Sequence, residues 1–282
     1  MNFPTPELLQ CPQCVSSLTQ RDNSLVCENG HTIDIARQGY VNLLPTGVTA
    51  HSGDSLAMVD SRTTLLESGL YAPILTATAY EAAEAVSSKE ALAYLDLGAG
   101  TGYYTKGIIE ALKLEHAVTA VAADSSPYAA RRLAKVSPTL GAIQMDAWKA
   151  YPLRSGVIDL ATIIFAPRNP AELDRIMAPK GEILIVSPAP SHLQELIAEF
   201  TMVHIDVDKE DRLLAQMKPF FTRTKRTETS FSVEVSGQTA RDLIAMGPSA
   251  RHIPAEELET LAESSKQRMV TIAVTIDRFS RS

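Results

Sequence analysis

The chain is built around Leu95-Asp96-Leu97-Gly98-Ala99-Gly100-Thr101-Gly102-Tyr103-Tyr104, a glycine-rich stretch within its 282 residues. The apolar run 91–95 predicts a short buried strand that enters this stretch, and the pattern of 105–112 predicts a helix that leaves it. Glycines at such a junction let backbone N–H groups approach a ligand closely. The sequence therefore predicts a ligand-binding turn between a strand and a helix.

The spacing of the glycines indicates what kind of ligand this turn binds. Gly98, Gly100 and Gly102 occupy every second position. A dinucleotide-binding turn has the pattern G-x-G-x-x-G/A and would require a small residue at Tyr103, so the spacing disfavours an NAD-dependent dehydrogenase. Asp96, two residues before the first glycine, suits a ligand with an amino group better than a pyrophosphate. The alternative interpretation is an ordinary tight turn.

Two further predicted strands end in acids. The β-branched and apolar run 118–123 is followed by Asp124, and the run 141–145 is followed by Asp146. At the carboxyl end of the second strand, an aspartate can accept hydrogen bonds from both ribose hydroxyls of a nucleoside. Alternatively, Asp124 caps the next helix, because 125–127 has the composition of a helix start. The two roles are compatible, and three evenly spaced strand–acid units favour a binding site.

The remaining hydrophobic pattern predicts the fold class. The run 157–165 predicts a central fourth strand, 182–186 predicts a fifth, and 230–235 and 270–279 predict late strands. Helices that alternate with near-continuous apolar strands predict an α/β, doubly wound, Rossmann-like parallel sheet. Ligands bind outside the carboxyl ends of such strands. The acids, the glycines and Phe165-Ala166-Pro167 would all meet at that edge.

All three cysteines lie near the start of the chain. Cys11 and Cys14 form a Cys-x2-Cys pair, and the predicted hairpin 18–26 returns the chain to Cys27 and His31. Four nitrogen and sulfur ligands fit the closed tetrahedral shell of a structural Zn²⁺. A thioredoxin-like redox pair would need a βαβ context, and an unmetallated hairpin is the other alternative. Since so small a ribbon buries no core of its own, metal binding would supply much of its folding energy.

Length and charge limit the functions that are open. A chain of this length buries a sizeable core and leaves room for one large domain and a small one. No apolar run approaches the roughly 20 residues of a membrane span, and the N-terminus lacks the regions of a signal peptide. We therefore expect a cytoplasmic protein without membrane association. The net charge of −7 argues against a generally basic nucleic-acid binder, but a local basic surface is compatible with it.

The glycine turn and its preceding acid resemble motif I of class I S-adenosylmethionine (SAM) methyltransferases. A four-ligand zinc ribbon directly before such a domain resembles the bacterial 23S rRNA (guanine-N1)-methyltransferase family. The resemblance covers nearly the whole chain, and the matching stretches are Cys11-Pro12-x-Cys14, Cys27-x3-His31, Gly39-Tyr40-Val41-Asn42-Leu43-Leu44-Pro45, Gly53-Asp54-Ser55, Gly69-x-Tyr71-x-Pro73, Gly100-x-Gly102-Tyr103-Tyr104-Thr105 and Pro188-x-Pro190-x-His192-Leu193. One departure is Pro179-Lys180-Gly181, where the family usually has Pro-Gly-Gly before strand five.

This resemblance implies a reaction, two cofactors and a domain division. Family members methylate N1 of a guanine in a hairpin loop of 23S rRNA domain II, and some confer resistance to macrolides such as tylosin. The implied cofactors are SAM and Zn²⁺. The implied division is a zinc ribbon at 1–45, a linker and lead-in helices at 46–90, and a SAM-dependent methyltransferase domain at 91–282. The family's sub-types modify neighbouring guanines, and the sequence does not separate them.

The resemblance also implies which residues bind SAM. By the resemblance, four residues contact SAM: Tyr71, Gly100, Thr101 and His192. Asp96 would lie near the methionine part and Asp146 beside the adenine. The complete expected set is Tyr71, Asp96, Gly98, Gly100, Thr101, Gly102, Asp124, Asp146 and His192. From position alone, a histidine in the first turn of a helix is as often bonded locally.

Methylation at N1 requires a proton acceptor and a surface that holds RNA. Asp54 and Asp206 are guesses for the acceptor. Arg21 and Arg37 on the ribbon are candidates for holding the hairpin, unless the ribbon is purely a structural cap. The basic segment 218–226 either contacts RNA or is a core strand with a solvated face. If the ribbon is an RNA clamp, replacing its third cysteine by serine should abolish zinc binding and RNA methylation and leave SAM binding largely intact.

Two other classes of function stay open at this point. The acidic net charge favours a SAM-dependent methyltransferase that acts on a small metabolite, whereas the zinc ribbon does not. A non-catalytic RNA-binding module would keep SAM as a structural ligand. A homodimer is a further expectation, because a single ribbon offers little surface to hold a hairpin.

Overall fold

The computed structural model describes residues 2–45, 54–200, 202, 208–247 and 253–281. Residues 46–53 of the predicted linker and the candidate base Asp206 lie outside the described residues. Within the described part, no helix combines the length and the apolar composition that a bilayer crossing requires.

The N-terminal part is a small antiparallel sheet, as the hairpin prediction required. It contains a 3-10 turn at Pro6–Leu8 and the strands β1 (Leu18–Arg21), β2 (Ser24–Cys27) and β3 (Thr32–Asp34). The tight turn between β1 and β2 has Asp22 in the left-handed region, with φ +51°. Aspartate tolerates this conformation better than most residues, which explains why the chain reverses there.

An eight-stranded sheet forms the centre of the molecule. Its strands are β4 (Val41–Asn42), β5 (Ala91–Leu97), β6 (Ala117–Asp124), β7 (Leu140–Gln144), β8 (Ile158–Ile164), β9 (Met177–Pro188), β10 (Phe221–Val235) and β11 (Arg268–Arg281), in the order β10-β11-β9-β8-β5-β6-β7-β4. The pairs from β4 to β9 are parallel, whereas β11 is antiparallel to both β9 and β10. The predicted doubly wound α/β sheet is confirmed, with one reversed strand.

Helices cover both faces of this sheet. They are α1 (Leu56–Glu67), α2 (Ala72–Val86), α3 (Tyr103–Leu112), α4 (Pro127–Leu133), α5 (Pro170–Ile176), α6 (Gln194–Phe200), α7 (Lys209–Met217), α8 (Gly237–Ala245) and α9 (Ala255–Glu263). One core lies between the sheet and the side chains of Ile74, Ile108 and Leu196, and a second core lies on the opposite face. The central strands are therefore buried on both sides, which explains their near-continuous apolar composition.

The zinc-ribbon part packs directly against the second face. Leu9 and Leu25 belong to the same core as Ile163 and Ile185 of the large sheet. The strand β4, which lies within the predicted ribbon domain 1–45, pairs in parallel with β7 and forms the edge of the large sheet. The ribbon is thus joined to the sheet by backbone hydrogen bonds as well as by apolar contacts.

The basic segment 218–226 leads into β10, an edge strand of the sheet. Phe221 is only 2% exposed, and Arg223 and Arg226 both form ion pairs with Glu210 and Asp277. Lys225 pairs with Glu81 at 2.8 Å. These charges are neutralised within the fold, so the structure favours the core interpretation of this segment.

Candidate active site

The glycine turn between β5 and α3 has the backbone geometry that its sequence predicted. Gly98, Gly100 and Gly102 all have positive φ, at +74°, +57° and +82°. A Cβ on Gly98 would lie only 2.3 Å from the Cβ of Ala166 in the neighbouring loop. Only glycine allows both this backbone conformation and this close approach, so the turn can bring its peptide groups up to a ligand.

Asp96 lies behind the turn. Its carboxylate is 1% exposed and accepts hydrogen bonds from the hydroxyls of Thr105 and Thr162, the latter at 2.9 Å. Thr162 in turn bonds to the Tyr94 hydroxyl at 2.6 Å. Burial raises the pKa of Asp96 to about 6, against the lowering effect of the two threonines. Asp96 lines neither of the two cavities described below, and its contacts fix the first turn of α3 to β5 and β8.

Asp124 lies at the carboxyl end of β6 and organises the turn from the other side. Its Oδ2 accepts the Gly100 N–H at 2.9 Å, and its Oδ1 accepts the Ser126 N–H at 2.8 Å. Burial raises its pKa, while these two backbone hydrogen bonds lower it. A carboxylate accepts about four hydrogen bonds, so two positions remain for ligand hydroxyls. The capping role and the binding role of Asp124 are therefore compatible in this geometry.

A cavity of about 180 Å³ opens beside Asp124. Asp146 also lines it, and accepts the backbone N–H of Trp148 at 2.9 Å. The Trp148 ring is 59% exposed at this cavity. The acids that follow two neighbouring strands therefore share one cavity, as the parallel strand order predicts.

A larger cavity of about 390 Å³ adjoins the first. The two cavities share Arg62, Gly98, Phe165 and Ala166 in their lining. Tyr71, Gly100, Thr101 and His192 line the larger one, together with Tyr104, Arg168 and Lys209. The predicted residue Gly102 lines neither cavity: it precedes α3, and a Cβ there would lie 2.4 Å from Val136.

Two tyrosines give the larger cavity unsatisfied polar groups. The hydroxyls of Tyr71 and Tyr104 are buried and have no hydrogen-bond partner among the described residues. Burial raises the pKa of both phenols, so both stay protonated and can donate. Buried hydroxyls in native proteins nearly always have partners. A bound polar ligand would satisfy both groups, which fits a cavity that is filled in the working protein.

His192 lies at the wall of the larger cavity and is 8% exposed. Its Nδ1 accepts the backbone N–H of Ala273 at 3.2 Å. Burial lowers the pKa of His192 to about 4, and the charge of Lys209 adds to this effect. The ring is therefore neutral at physiological pH and has its proton on Nε2. In this state His192 is a hydrogen-bond donor and not a proton acceptor.

Arg62, Arg168 and Lys209 are the cavity cations that the sequence analysis missed. Arg62 on α1 pairs with Asp54, the candidate base, and donates to the Met246 carbonyl at 2.8 Å. This ion pair occupies the Asp54 carboxylate and weakens its candidacy as a base. Arg168 directly follows Phe165-Ala166-Pro167, so reading one residue further would have found it. Lys209 follows no recognisable motif.

The four predicted zinc ligands come together at one point of the ribbon. The ligand atoms of Cys11, Cys14, Cys27 and His31 all lie within 4.8 Å of one another. Sγ of Cys14 is 3.6 Å from Sγ of Cys27, and Nδ1 of His31 is 3.6 Å from Sγ of Cys11 and 3.4 Å from Sγ of Cys27. Tetrahedral Zn²⁺ with ordinary bond lengths requires separations of roughly 3.5–3.8 Å. The donor set and its spacing therefore fit zinc, with His31 binding through Nδ1.

The chain resembles proteins of known sequence and of known structure. A family model for the zinc ribbon of RlmA, N-terminal, matches residues 9–49. The chain is 37% identical, over 270 residues, to the 23S rRNA (guanine(748)-N(1))-methyltransferase of Streptomyces fradiae. This alignment covers 95% of this chain and 94% of that protein. It is 35% identical over 288 residues to a protein of Micromonospora griseorubida, provisionally named as a 23S rRNA (guanine-N(1)-)-methyltransferase, with 96% of each covered. A solved structure from Bacillus halodurans C-125, provisionally named a methyltransferase, aligns with a TM-score of 0.48 at 14% identity, over 71% of this chain and 98% of that one.

Proposed function

This chain belongs to the family of 23S rRNA (guanine-N1)-methyltransferases, and from that premise we propose that it methylates N1 of guanine 748 in a hairpin loop of 23S rRNA domain II. The chain is a SAM-dependent enzyme with a zinc ribbon, and its substrate is rRNA. The choice of position 748 follows the name of the Streptomyces fradiae relative. Because the chain belongs to this family, the small-metabolite, non-catalytic and dehydrogenase alternatives no longer apply.

The observation that supports this proposal most directly is the pair of adjoining cavities at the carboxyl edge of the sheet. The smaller cavity, with Asp124 and Asp146, suits an adenosine: Asp124 would accept the ribose hydroxyls and Asp146 would lie beside the base. The larger cavity adjoins it at Gly98, and there Tyr71 and Thr101 would contact the methionine part. The sulfonium of bound SAM supplies a methyl group that is already activated. The protein's task is then alignment and exclusion of water.

In this proposal the remaining predicted residues have different roles. Asp96 and Gly102 would fix the turn instead of contacting SAM, since they line neither cavity. His192 would donate from Nε2 to a ligand oxygen. Because its Nδ1 is occupied by the Ala273 N–H, we assign it no part in accepting the guanine N1 proton.

The target guanine has to present its Watson–Crick edge to the larger cavity. A base in a hairpin loop is unpaired and can be turned out at small cost, and single-stranded loops are where proteins usually read RNA sequence. Arg21 and Arg37 are exposed on the ribbon and have no ion-pair partner among the described residues. We propose that they contact the phosphates of the hairpin, and that two copies of the chain form a homodimer that presents two ribbons.

Reverse transcription across domain II tests the reaction and the position together. A methyl group on guanine N1 blocks base pairing, so the copy should stop one nucleotide before the target in rRNA from cells that express the chain. RNA from cells that express an Asp124→Ala variant is the matched control. A stop at a different guanine would correct the position. No expression-dependent stop in the hairpin would refute the proposal.

The role of the ribbon needs variants that leave its fold intact. Arg21→Gln and Arg37→Gln remove exposed charges without touching the zinc ligands or the shared core. The double variant should bind the isolated hairpin more weakly, with a shallower salt dependence, because each phosphate contact contributes to the salt slope. Its zinc content and SAM affinity should equal those of the wild type. Unchanged RNA binding by the double variant would refute the role of the ribbon as an RNA clamp. Sedimentation of the wild type with and without the hairpin measures its mass and so tests the homodimer.

A further inference from the structure

Two positive charges face the larger cavity without a neutralising partner in the part of the chain that the structure describes. Arg168 and Lys209 both line it, and neither forms a hydrogen bond or ion pair with any described residue. The Nε of Arg168 is fully buried and lacks an acceptor. The other cavity arginine, Arg62, is neutralised by Asp54. Unpaired half-buried cations are costly unless something compensates them, so this arrangement indicates an anionic group in the loaded site.

The described surroundings of the two cations supply little negative charge. Burial lowers the pKa of Arg168, and the negative charge of Asp277 acts in the opposite direction. Burial also lowers the pKa of Lys209, and the positive charges of Arg168 and Arg212 lower it further. Asp277, the one described carboxylate whose charge reaches Arg168, is ion-paired with two other arginines.

The described lining of the larger cavity contains no carboxylate. Its titratable side chains are Arg62, Tyr71, Tyr104, Arg168, His192 and Lys209. Both phenols stay protonated, and the imidazole has no free lone pair in the cavity. The described lining therefore offers no carboxylate and no free imidazole nitrogen as a proton acceptor, whereas it contains three cationic side chains. The site is better suited to stabilising an anion than to removing a proton with a side chain.

Phe165 indicates where the target base would lie. Its backbone has φ +54° although it is neither glycine nor asparagine, and its ring is 44% exposed where the two cavities join. A bulky residue in this conformation is strained by about 1–3 kcal/mol, and such strain concentrates at functional sites. An exposed ring at this point offers a stacking face for a base, and Arg168 is three residues further along the same loop.

We propose that Arg168 and Lys209 hold the negative charge that guanine acquires on N1 and O6 when its N1 proton leaves. This inference rests on the proposed function. The N1 proton passes to water before the transfer, and its bonding electrons stay on the base as an anion delocalised over N1 and O6. The N1 lone pair then forms the bond to the methyl carbon. The bond between that carbon and sulfur breaks, and its electron pair stays on sulfur as a neutral thioether.

The pH dependence of single-turnover methylation tests this assignment. Nearby positive charge favours the ionised form of an acid, and one charge within about 4–6 Å shifts a pKa by about 1–3. Arg168→Gln and Lys209→Gln should each slow methylation of a hairpin transcript at least about tenfold at pH 7, and the loss should shrink as the pH rises. Arg168→Lys, which retains the charge, should recover much of the rate. Lys113→Gln, which removes an exposed charge from the end of α3 remote from the cavity, should behave as wild type.

A second measurement needs no turnover. A hairpin labelled with ¹⁵N at N1 of the target guanine reports the protonation of N1 when it is bound with S-adenosylhomocysteine. The pH midpoint of that signal should be lowest in the wild type and higher in both glutamine variants. Identical midpoints in all proteins would overturn the proposal.

The outcomes separate this inference from the proposed function. If wild-type protein does not methylate the hairpin at any pH, the proposed function fails and the inference falls with it. If it does, and the glutamine variants lose the same factor at every pH, the inference alone is overturned. Weaker, less salt-dependent RNA binding would then assign the two cations to phosphate, and weaker SAM binding would assign them to the methionine carboxylate.

Discussion

Replacing Asp96 by asparagine gives a direct measure of how the buried carboxylate behind the glycine turn makes stability depend on pH. The pKa of Asp96 rises from 3.8 to about 6 because the carboxyl is buried. Since the pKa is higher in the folded state, this group stabilises the fold fully below pH 3.8, and the stabilisation is lost as the pH rises through 6. Between pH 8 and pH 5 this difference in pKa changes the free energy of unfolding by about 1.4 kcal/mol. The Asp96→Asn variant cannot titrate and lacks this term.

Urea unfolding of wild type and Asp96→Asn at pH 5, 6, 7 and 8 measures the effect as a difference of free energies of unfolding. The wild type should gain about 1.4 kcal/mol relative to the variant between pH 8 and pH 5. A constant offset from altered hydrogen bonds to Thr105 and Thr162 does not affect this change. Asp22→Asn, in the exposed β1–β2 turn, is the matched control, and its free energy of unfolding should change with pH as that of the wild type does. A pH-independent difference between wild type and Asp96→Asn would refute the reasoning.

Three further predictions concern the two cavities. Asp124→Ala should weaken SAM binding by at least about tenfold in calorimetry, because charge-assisted hydrogen bonds contribute about 1.5–3 kcal/mol each, and an unchanged affinity would contradict its ribose role. Gly98→Ala should abolish SAM binding, since its Cβ would lie 2.3 Å from that of Ala166, whereas Gly156→Ala, also at positive φ but with no atom within 4 Å, should retain it. The imidazole NMR signals of His192 should stay constant from pH 8 to pH 5.5, because burial lowers its pKa to about 4. A midpoint near the usual value of about 6.5 would show that the ring is solvated.

The parts of the site that the sequence predicted are those that local patterns determine. The glycines require a turn, and the acids after β6 and β7 meet because parallel strands end at a common edge. The zinc ligands follow from side-chain chemistry and spacing. By contrast, no local pattern indicates that Thr105 and Thr162 occupy the carboxylate of Asp96. That contact depends on how α3 and β8 pack around β5.

The remaining differences also arise from tertiary structure. The apolar composition of a buried strand does not depend on the direction of the strand, so the sequence did not predict that β11 is antiparallel. β4 has only two residues, too few for any periodicity. Lys209 reaches the larger cavity because α7 begins there, and the 20 residues between it and the end of β9 contain no motif that predicts this return.

Zinc and the smaller cavity are connected through the short strand β4. The Leu43 N–H at its end donates to the Gln144 carbonyl at 2.9 Å, and the Gln144 side chain donates to the Ser125 carbonyl at 2.9 Å, next to Asp124. The ribbon also shares its apolar core with the sheet. The expectation that Cys27→Ser leaves SAM binding intact treats the ribbon as an independent unit, and these contacts argue against that.

We therefore expect Cys27→Ser to lose zinc and to weaken SAM binding as well as RNA binding, because a ribbon without its metal has little folding energy of its own. Metal analysis and calorimetry on the same preparation measure both effects. Full SAM affinity in a zinc-free variant would show that β4 stays paired with β7 without the ribbon. In either case Arg21→Gln and Arg37→Gln, which leave zinc and core in place, remain the variants that isolate the RNA contact.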